Sequence, residues 1–242
     1  MSKPASIYIH IPFCKHRCSY CDFNTYAGQE TLIPGYVDAL CKEIEQVASR
    51  LPGTEPVDSI FFGGGTPSYL PVAQIEKVLR ACLTFFPVNP RAEITIEANP
   101  GTLTRQGLAD LRSAGVNRLS FGMQSAHPDD LRLLERQHDT LDVFRAVRWA
   151  REAGFDNLNL DLILGLPDHP IERWQTSLET AVQLAPEHLS IYALTIEHGT
   201  PFRRWVERGL VAMPEDDLSA DMYDWTCAFL EGRAFRHYEI SN

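Results

Sequence analysis

The chain has 242 residues and a formal net charge of −10, and 44% of its residues are hydrophobic and 22% charged. This composition excludes disordered and fibrous classes and allows a domain with a well-buried core. No apolar run approaches the roughly 18 residues that a membrane span needs, and the opening MSKPASIYIH lacks the features of a signal peptide. We therefore expect a cytoplasmic protein without a membrane span, and the acidic balance argues against a nucleic-acid partner.

Strand-like and helical patterns alternate along the chain, which predicts an α/β fold with parallel strands and right-handed crossovers. The predicted strands are Ser6–Ile11, Val57–Phe62, Glu93–Ala98, Arg118–Met123, Asn157–Ile163 and His188–Leu194. Apolar residues at helical spacing predict helices over 37–51, 75–86, 104–114, 141–153, 171–184 and 215–231. Since no linker or low-complexity stretch interrupts this order, residues 1–242 are predicted to form a single domain.

The strands have one apolar and one polar face, and this decides between two α/β architectures. Ile94 and Ile96 alternate with Thr95 and Glu97, and the later strands show the same pattern. A parallel strand covered on both faces is apolar nearly throughout, whereas a barrel can enclose a polar cavity whose binding residues gather at the C-terminal mouth. Six strands fit a partial, open (βα)6 TIM-like barrel, and a doubly wound sheet with a polar edge is the alternative.

Three of the six cysteines, Cys14, Cys18 and Cys21, fall in one short segment directly after the first predicted strand. In a reducing compartment such crowding indicates metal or redox chemistry and not disulfides. Full protein ligation of a [4Fe–4S] cluster takes four cysteines, so three would leave one iron open. A zinc site completed by His10 or His16 and a redox dithiol of Cys18 and Cys21 are the alternatives.

The remaining cysteines and most histidines have ordinary structural interpretations. Cys41 and Cys82 lie on apolar helix faces and Cys227 lies in an aromatic-rich helix, where a cysteine acts as a small buried hydrophobe. Several histidines fall beside turns or ends of predicted elements, where solvated or capping roles are expected. They are His127, His138, His169, His188 and His198.

The CxxxCxxC spacing, with the aromatic Tyr20 before the last cysteine, resembles the radical S-adenosylmethionine superfamily. The resemblance implies a [4Fe–4S] cluster held by Cys14, Cys18 and Cys21, with S-adenosylmethionine on the open iron and a partial barrel fold. The run Phe62-Gly-Gly-Gly-Thr66 resembles the superfamily's GGGTP element, which contacts the methionine amino group. Consecutive glycines let the backbone approach a ligand closely.

Six segments together resemble the branch that contains oxygen-independent coproporphyrinogen III dehydrogenase and the haem chaperones of the HemW group. They are YIHIPFC, CSYCDF, FFGGGTP, EITIEANPG, NRLSFGMQS and DLILGLP. In this branch a second S-adenosylmethionine can lie beside the first. Matching positions place the first ligand against Tyr8, Gly64 and Glu97, and the second against Tyr20, Gly65, Thr66, Gln124, Arg136 and Asp161. The six positions proposed for the second molecule are equally suited to line a cavity for another substrate. For Arg136 alone, a further alternative is a solvated cation at the end of a helix.

Two departures favour the HemW-like group over the dehydrogenase. The dehydrogenase has a fourth cysteine where this chain has Phe23, and it carries an N-terminal extension before the first strand. The resemblance therefore implies a haem chaperone, with haem or a porphyrinogen as ligand and an acceptor protein and an electron donor that the sequence does not identify. The dehydrogenase, which converts propionates to vinyls, is the alternative, and a radical enzyme acting on an unrelated small molecule is a third. Because relatives continue with a haem-associated region, we expect the barrel to occupy about residues 1–232 and residues 233–242 to begin a truncated C-terminal region.

Overall fold

The computed structural model describes residues 5–51 and 55–240. Its strands are β1 (Ala5–Ile11), β2 (Phe13–Cys14), β3 (Tyr26–Ala27), β4 (Val57–Gly64), β5 (Val88–Ala98), β6 (Arg118–Gln124), β7 (Leu158–Leu164) and β8 (His188–Ala193). Its helices are α1 (Ile33–Arg50), α2 (Val72–Phe85), α3 (Arg105–Ser113), α4 (Pro128–Leu133), α5 (Thr140–Glu152), α6 (Ile171–Gln183), α7 (Pro201–Glu207) and α8 (Asp216–Glu231). All the predicted strands and helices are therefore confirmed, whereas α4, α7 and the two-residue strands β2 and β3 were not predicted.

Six strands form one parallel sheet in the order β1-β4-β5-β6-β7-β8, which is the order of the chain. A doubly wound sheet reverses its strand order at a switch point, and this sheet does not. Within residues 5–51 and 55–240, the edge strand β1 pairs only with β4 and the edge strand β8 only with β7, so the sheet is open. The predicted partial, open barrel is thus confirmed as a curled half-barrel of six parallel strands.

The hydrophobic core lies between the outer face of the sheet and the helices. Ile96, Phe121 and Leu160 point outward and are fully buried in the same cluster as Val78 of α2 and Trp174 of α6. Each large side chain buried in this way contributes about 1.5–3 kcal/mol to stability. The predicted two-sided strands are confirmed, because the alternate positions of the same strands face the barrel interior.

Several helices begin at side chains that cap their free backbone amides. Asp139 and Asp142 form a reciprocal capping box at the start of α5, Thr104 accepts a hydrogen bond from the Gly107 amide at the start of α3, and His127 accepts one from the Asp129 amide at the start of α4. These caps fix where the helices leave the mouth of the barrel.

Most of the structural interpretations of the cysteines and histidines hold, and two are wrong. Cys82 is fully buried and Cys41 is partly buried against the same core, and the predicted capping role of His127 is confirmed. His138 and His169, by contrast, are 4% and 1% exposed, so neither is solvated nor the cap of a helix. His138 Nε2 bonds the Met123 carbonyl at 3.1 Å, and His169 Nδ1 accepts a hydrogen bond from the Leu166 amide at 3.3 Å.

Within the two described ranges, no helix combines the length and the apolar character needed to cross a membrane.

Candidate functional site

The cysteine loop leaves β1 and is closed by a short parallel pair between β2 and β3, in which Phe13 pairs with Tyr26 and Cys14 with Ala27. Cys14 is buried, and Cys18 and Cys21 are half-buried. A turn in which the Cys21 amide donates to the Cys18 carbonyl at 3.2 Å keeps the two later cysteines together. The predicted crowding of three thiols at the C-terminal end of β1 therefore occurs in the structure.

The thiols sit close enough to influence one another. Burial raises the pKa of the Cys14 thiol, the neighbouring Cys21 and Cys18 raise it further, and a hydrogen bond from Thr66 Oγ1, 3.7 Å from Cys14 Sγ, opposes the shift. A single zinc ion with bonds of about 2.3 Å draws its ligands into a tight tetrahedron. Among the described residues no three His, Cys, Asp or Glu side chains are gathered in that way.

The two histidines considered as zinc ligands have other partners. The ring of His10 lies 3.3 Å from Tyr8 Oη and bonds the Asn24 carbonyl at 3.0 Å, while His16 faces Glu135 at 3.9 Å. Both rings are therefore engaged with neighbours other than the three thiols.

The glycine turn after β4 packs directly against the cysteine loop. The Gly65 amide donates to the Ile11 carbonyl at 2.8 Å, and the Thr66 amide donates to the Phe13 carbonyl at 2.9 Å. A Cβ on Gly65 would lie 2.9 Å from Cys14 Sγ, and one on Gly64, whose φ is +116°, would lie 2.7 Å from the His10 ring. Only glycine allows this close approach of backbone to thiol.

Two carboxylates lie on the inner wall of the half-barrel. Glu97 Oε2 accepts a hydrogen bond from the Gly64 amide at 3.1 Å. Burial and the charge of Asp161 raise the pKa of Glu97 to about 7, and the Gly64 bond opposes the shift. Asp161 accepts hydrogen bonds from Asn159 Nδ2 at 2.7 Å and from Ser120 Oγ at 3.1 Å, yet burial still raises its pKa. Two buried carboxylates near one another suit a cationic ligand.

Arg136 is half-buried beside the cysteine loop, and its guanidinium bonds groups there, which excludes the alternative of a solvated helix-end cation. Its Nη2 donates to the Gly122 carbonyl at 2.8 Å and its Nη1 donates to Cys18 Sγ at 3.5 Å. Among the described residues its buried Nε has no hydrogen-bond partner. Burial raises the pKa of the adjacent Tyr20, and the charge of Arg136 opposes that shift. An unpartnered guanidinium N–H fits an anionic group such as a ligand carboxylate.

The predicted ligand residues fall into two neighbouring groups. Tyr8 and Gly64 lie on the same part of the inner wall as Glu97. The Tyr8 ring packs closely against the glycine turn, since a Cβ on Gly63 would lie 2.9 Å from it. Gln124 and Arg136 lie together over Gly122, since a Cβ there would meet Gln124 Nε2 at 2.8 Å and Arg136 Nη2 at 2.9 Å. The sequence analysis did not single out Ser120 or Asn159, and the structure shows that both donate hydrogen bonds to Asp161.

Solved structures share this architecture. A coproporphyrinogen III oxidase, HemN, from Escherichia coli, described as a radical SAM enzyme, superposes with a TM-score of 0.85 at 33% identity, over 96% of this chain and 54% of that one. The radical S-adenosylmethionine methyltransferase TsrM from Kitasatospora setae, at 19% identity and a TM-score of 0.62, shows the same fold over 85% of this chain and 37% of that one. The fold and the thiol loop are those of a radical S-adenosylmethionine core.

The sequence profile of the radical SAM superfamily matches residues 8–181, and the chain belongs to that superfamily. It is 40% identical to the haem chaperone HemW of Synechocystis over 99% of its length and 39% identical to that of Bacillus subtilis over 98%. A zebrafish relative, radical S-adenosyl methionine domain-containing protein 1, mitochondrial, is 37% identical over 98% of this chain and 53% of that protein. The chain spans 59% and 62% of the two chaperones. Membership implies a [4Fe–4S] cluster and S-adenosylmethionine.

Proposed function

We propose that this chain is the radical S-adenosylmethionine core of a haem chaperone, a protein that binds haem and passes it to acceptor proteins. The observation that carries the proposal is the 40% identity to a haem chaperone across 99% of the chain. Phe23 supports it, since it stands where the dehydrogenase has a fourth cysteine, and its side chain is 64% exposed. This position therefore offers no additional thiol next to the cluster loop.

In this proposal Cys14, Cys18 and Cys21 hold the [4Fe–4S] cluster. Bound there, the cluster supplies an electron and one iron open to an external ligand. Gly65 brings the backbone against Cys14, Thr66 donates a hydrogen bond to the Cys14 sulfur, and Arg136 places a positive charge beside Cys18. Charge and hydrogen bonds at the sulfurs are the means by which a protein adjusts such a cluster.

The inner wall in turn holds S-adenosylmethionine. Glu97 accepts hydrogen bonds from ammonium or ribose groups, and Tyr8 and Gly64 line the same side. A second molecule would contact Asp161, whose carboxylate is fixed by Asn159 and Ser120. The other residues proposed for this second molecule are Tyr20, Gly65, Thr66, Gln124 and Arg136. The unpartnered Nε of Arg136 supports this part, because it points to an anion such as a methionine carboxylate.

The second candidate function is oxidative decarboxylation of coproporphyrinogen III. The superposition on HemN at a TM-score of 0.85 supports it. The two functions differ in what happens to the tetrapyrrole: a chaperone releases it unchanged, whereas the oxidase removes carbon dioxide from propionates and leaves vinyl groups.

A paired assay on one anaerobically reconstituted preparation of the full-length protein tests the proposal. We expect the protein to bind haem and to pass it to a haem-free acceptor such as apomyoglobin, without forming protoporphyrinogen from coproporphyrinogen III. Coproporphyrinogen decarboxylation in the presence of S-adenosylmethionine and a reductant would overturn the proposal in favour of the oxidase. Failure both to bind haem and to turn over the porphyrinogen would overturn both functions.

A further inference from the structure

Gln124, the last residue of β6, has a left-handed backbone with φ of +65°. A residue with a Cβ rarely adopts this backbone conformation, and the conformation persists only where the surrounding structure enforces it. The pairing of β6 with β7 shifts at the same place: Gly122 pairs with Asp161, but Gln124 pairs with Leu162. Such shifts re-aim side chains next to functional sites.

The Gln124 side chain lies on the interior side of the sheet. Alternation along β6 puts Ser120, Gly122 and Gln124 on one face, and on β7 Asp161 faces the interior whereas Leu162 is fully buried in the outer core. The register shift and the left-handed residue fall where β6 ends, and a Cβ on Gly122 would lie 2.8 Å from Gln124 Nε2.

The next residue is held by a buried cluster from three separate parts of the chain. Ser125 Oγ donates to Asp130 Oδ2 of α4 at 2.7 Å and lies 3.1 Å from Ser177 Oγ of α6. The Ala126 amide donates to Ser177 Oγ at 3.1 Å, and the His127 amide donates to Ser125 Oγ at 2.9 Å. Ser125, Asp130 and Ser177 are each at most 2% exposed. We call these three residues the Ser125 clamp.

Asp130 has a cationic partner in this buried place. Arg173 Nη1 donates to Asp130 Oδ1 at 3.0 Å, and His169 Nε2 lies 3.5 Å from Oδ2. A carboxylate that is paired with a guanidinium accepts hydrogen bonds, so the Ser125 hydroxyl donates to it. The orientation of Ser125 is thereby fixed.

Helix α4, which carries Asp130, also determines where Arg136 lies. Asp130 anchors α4, and the chain leaves α4 through a turn in which the Arg136 amide donates to the Leu131 carbonyl at 2.8 Å. From there the guanidinium reaches Gly122 and Cys18. One buried cluster thus stands behind two side chains of the proposed ligand site.

We propose that the Ser125 clamp consists of positioning residues, which hold Gln124 in its left-handed conformation and direct Gln124 and Arg136 at S-adenosylmethionine. This inference rests on the proposed function of the site. It assigns a role to Ser125, Asp130 and Ser177, none of which the sequence patterns had singled out.

The test removes one hydroxyl from α6 and measures equilibrium binding of S-adenosylmethionine to anaerobically reconstituted protein. We expect Ser177→Ala to weaken binding roughly tenfold. The matched control, Thr176→Ala, removes an exposed hydroxyl that donates to the Glu172 carbonyl within the same helix and should leave binding unchanged. Asp130→Asn, which keeps the shape and removes the charge, should weaken binding in the same direction.

A double-mutant cycle separates positioning from general destabilisation. In a Gln124→Ala background, Ser177→Ala should cause a smaller loss than it causes in wild type, because one of the two side chains that the clamp positions is already gone. Full additivity of the two losses would overturn the proposal. So would equal binding by wild type, Ser177→Ala and Asp130→Asn.

Amide hydrogen exchange gives a readout that needs no ligand. We expect Ser177→Ala, but not Thr176→Ala, to speed exchange selectively in the segment around Gln124 to His127. If the wild-type protein binds no S-adenosylmethionine, the proposed ligand site is wrong. Hydrogen exchange still tests whether the clamp holds the segment around Gln124. Unchanged exchange in Ser177→Ala would overturn the clamp whatever the ligand does.

Discussion

Arg136 and Cys18 lie 118 positions apart in the chain, yet Arg136 Nη1 donates to Cys18 Sγ at 3.5 Å. The second nitrogen of the same guanidinium holds the Gly122 carbonyl on β6 at 2.8 Å. Arg136 therefore connects the cysteine loop after β1 to the opposite part of the sheet. The contact places a guanidinium beside one of the three thiols that are proposed to hold the cluster.

Replacing Arg136 tests this connection. Arg136→Ala removes the positive charge and the free Nε, so we expect S-adenosylmethionine to bind at least tenfold more weakly. Iron content should stay near that of wild type, since the three thiols remain. Arg132→Ala is the control, because Arg132 lies on α4 with a 75% exposed side chain. Equal binding by the two variants would contradict the assigned role of Arg136.

The cysteines divide into two sets with different expected phenotypes. Cys14→Ser, Cys18→Ser and Cys21→Ser should each lose most of the iron and inorganic sulfide after anaerobic reconstitution, because each thiol ligates one corner of the cluster. Cys41→Ser should retain both, since Cys41 lies on α1 and its Sγ contacts the Lys77 carbonyl of α2. Equal losses in all four variants would show that the metal does not sit in the loop.

The close contact at Gly65 predicts a steric effect on the same centre. A Cβ there meets Cys14 Sγ at 2.9 Å and the rigid Phe13 carbonyl at 2.8 Å, so Gly65→Ala should lower the free energy of unfolding by ~1–3 kcal/mol and reduce iron incorporation. Gly35→Ala in α1 places its methyl in open space and should change stability by less than about 1 kcal/mol. Thermal unfolding and iron analysis of both variants check this. Wild-type iron content in Gly65→Ala would argue against a cluster at Cys14.

The fold could be predicted from the sequence because the strands carry their orientation in the alternation of residues. In the third predicted strand, the polar residues Thr95 and Glu97 alternate with the apolar residues Ile94 and Ile96. This alternation indicates both a strand and a polar barrel interior, and the structure confirms both. The cysteine loop and the glycine turn could be located for a similar reason, since each directly follows a strand and so belongs to the C-terminal mouth.

Contacts between distant segments could not be predicted. Nothing in the local pattern around Arg136 indicates that its side chain turns inward to Cys18, and α4 is too short for a helical period to be visible. The burial of His138 was missed for the same reason, as its Nε2 bonds the Met123 carbonyl at 3.1 Å across the loop. Such positions depend on how loops pack, which residue spacing does not encode.

The carboxylate of Glu97 predicts a pH dependence of stability. Its pKa is raised from 4.5 to about 7 in the folded protein, so in this interval the unfolded chain releases its proton first. The free energy of unfolding should therefore fall as pH rises from 4.5 to 7, by an amount on the order of 2 kcal/mol. Glu97→Gln should abolish this component, whereas Glu45→Gln, on the exposed face of α1, should not.

The carboxylate of Glu97 also predicts how ligand binding depends on pH. A cationic ligand requires Glu97 to be ionised, so affinity for S-adenosylmethionine should rise about tenfold per pH unit below 7 and then level off. Calorimetric titrations across this range check the slope. A flat profile that Glu97→Gln does not alter would show that Glu97 makes no contact with the cation.

We propose that Cys14, Cys18 and Cys21 hold a cubane with one iron open to S-adenosylmethionine. Mössbauer spectroscopy of protein reconstituted with labelled iron, recorded with and without S-adenosylmethionine, tests this arrangement. We expect a [4Fe–4S] spectrum in which the ligand changes the signal of one iron site and leaves the other three unaltered. Zinc in place of iron, absence of inorganic sulfide, or a cluster spectrum that the ligand does not change would contradict it.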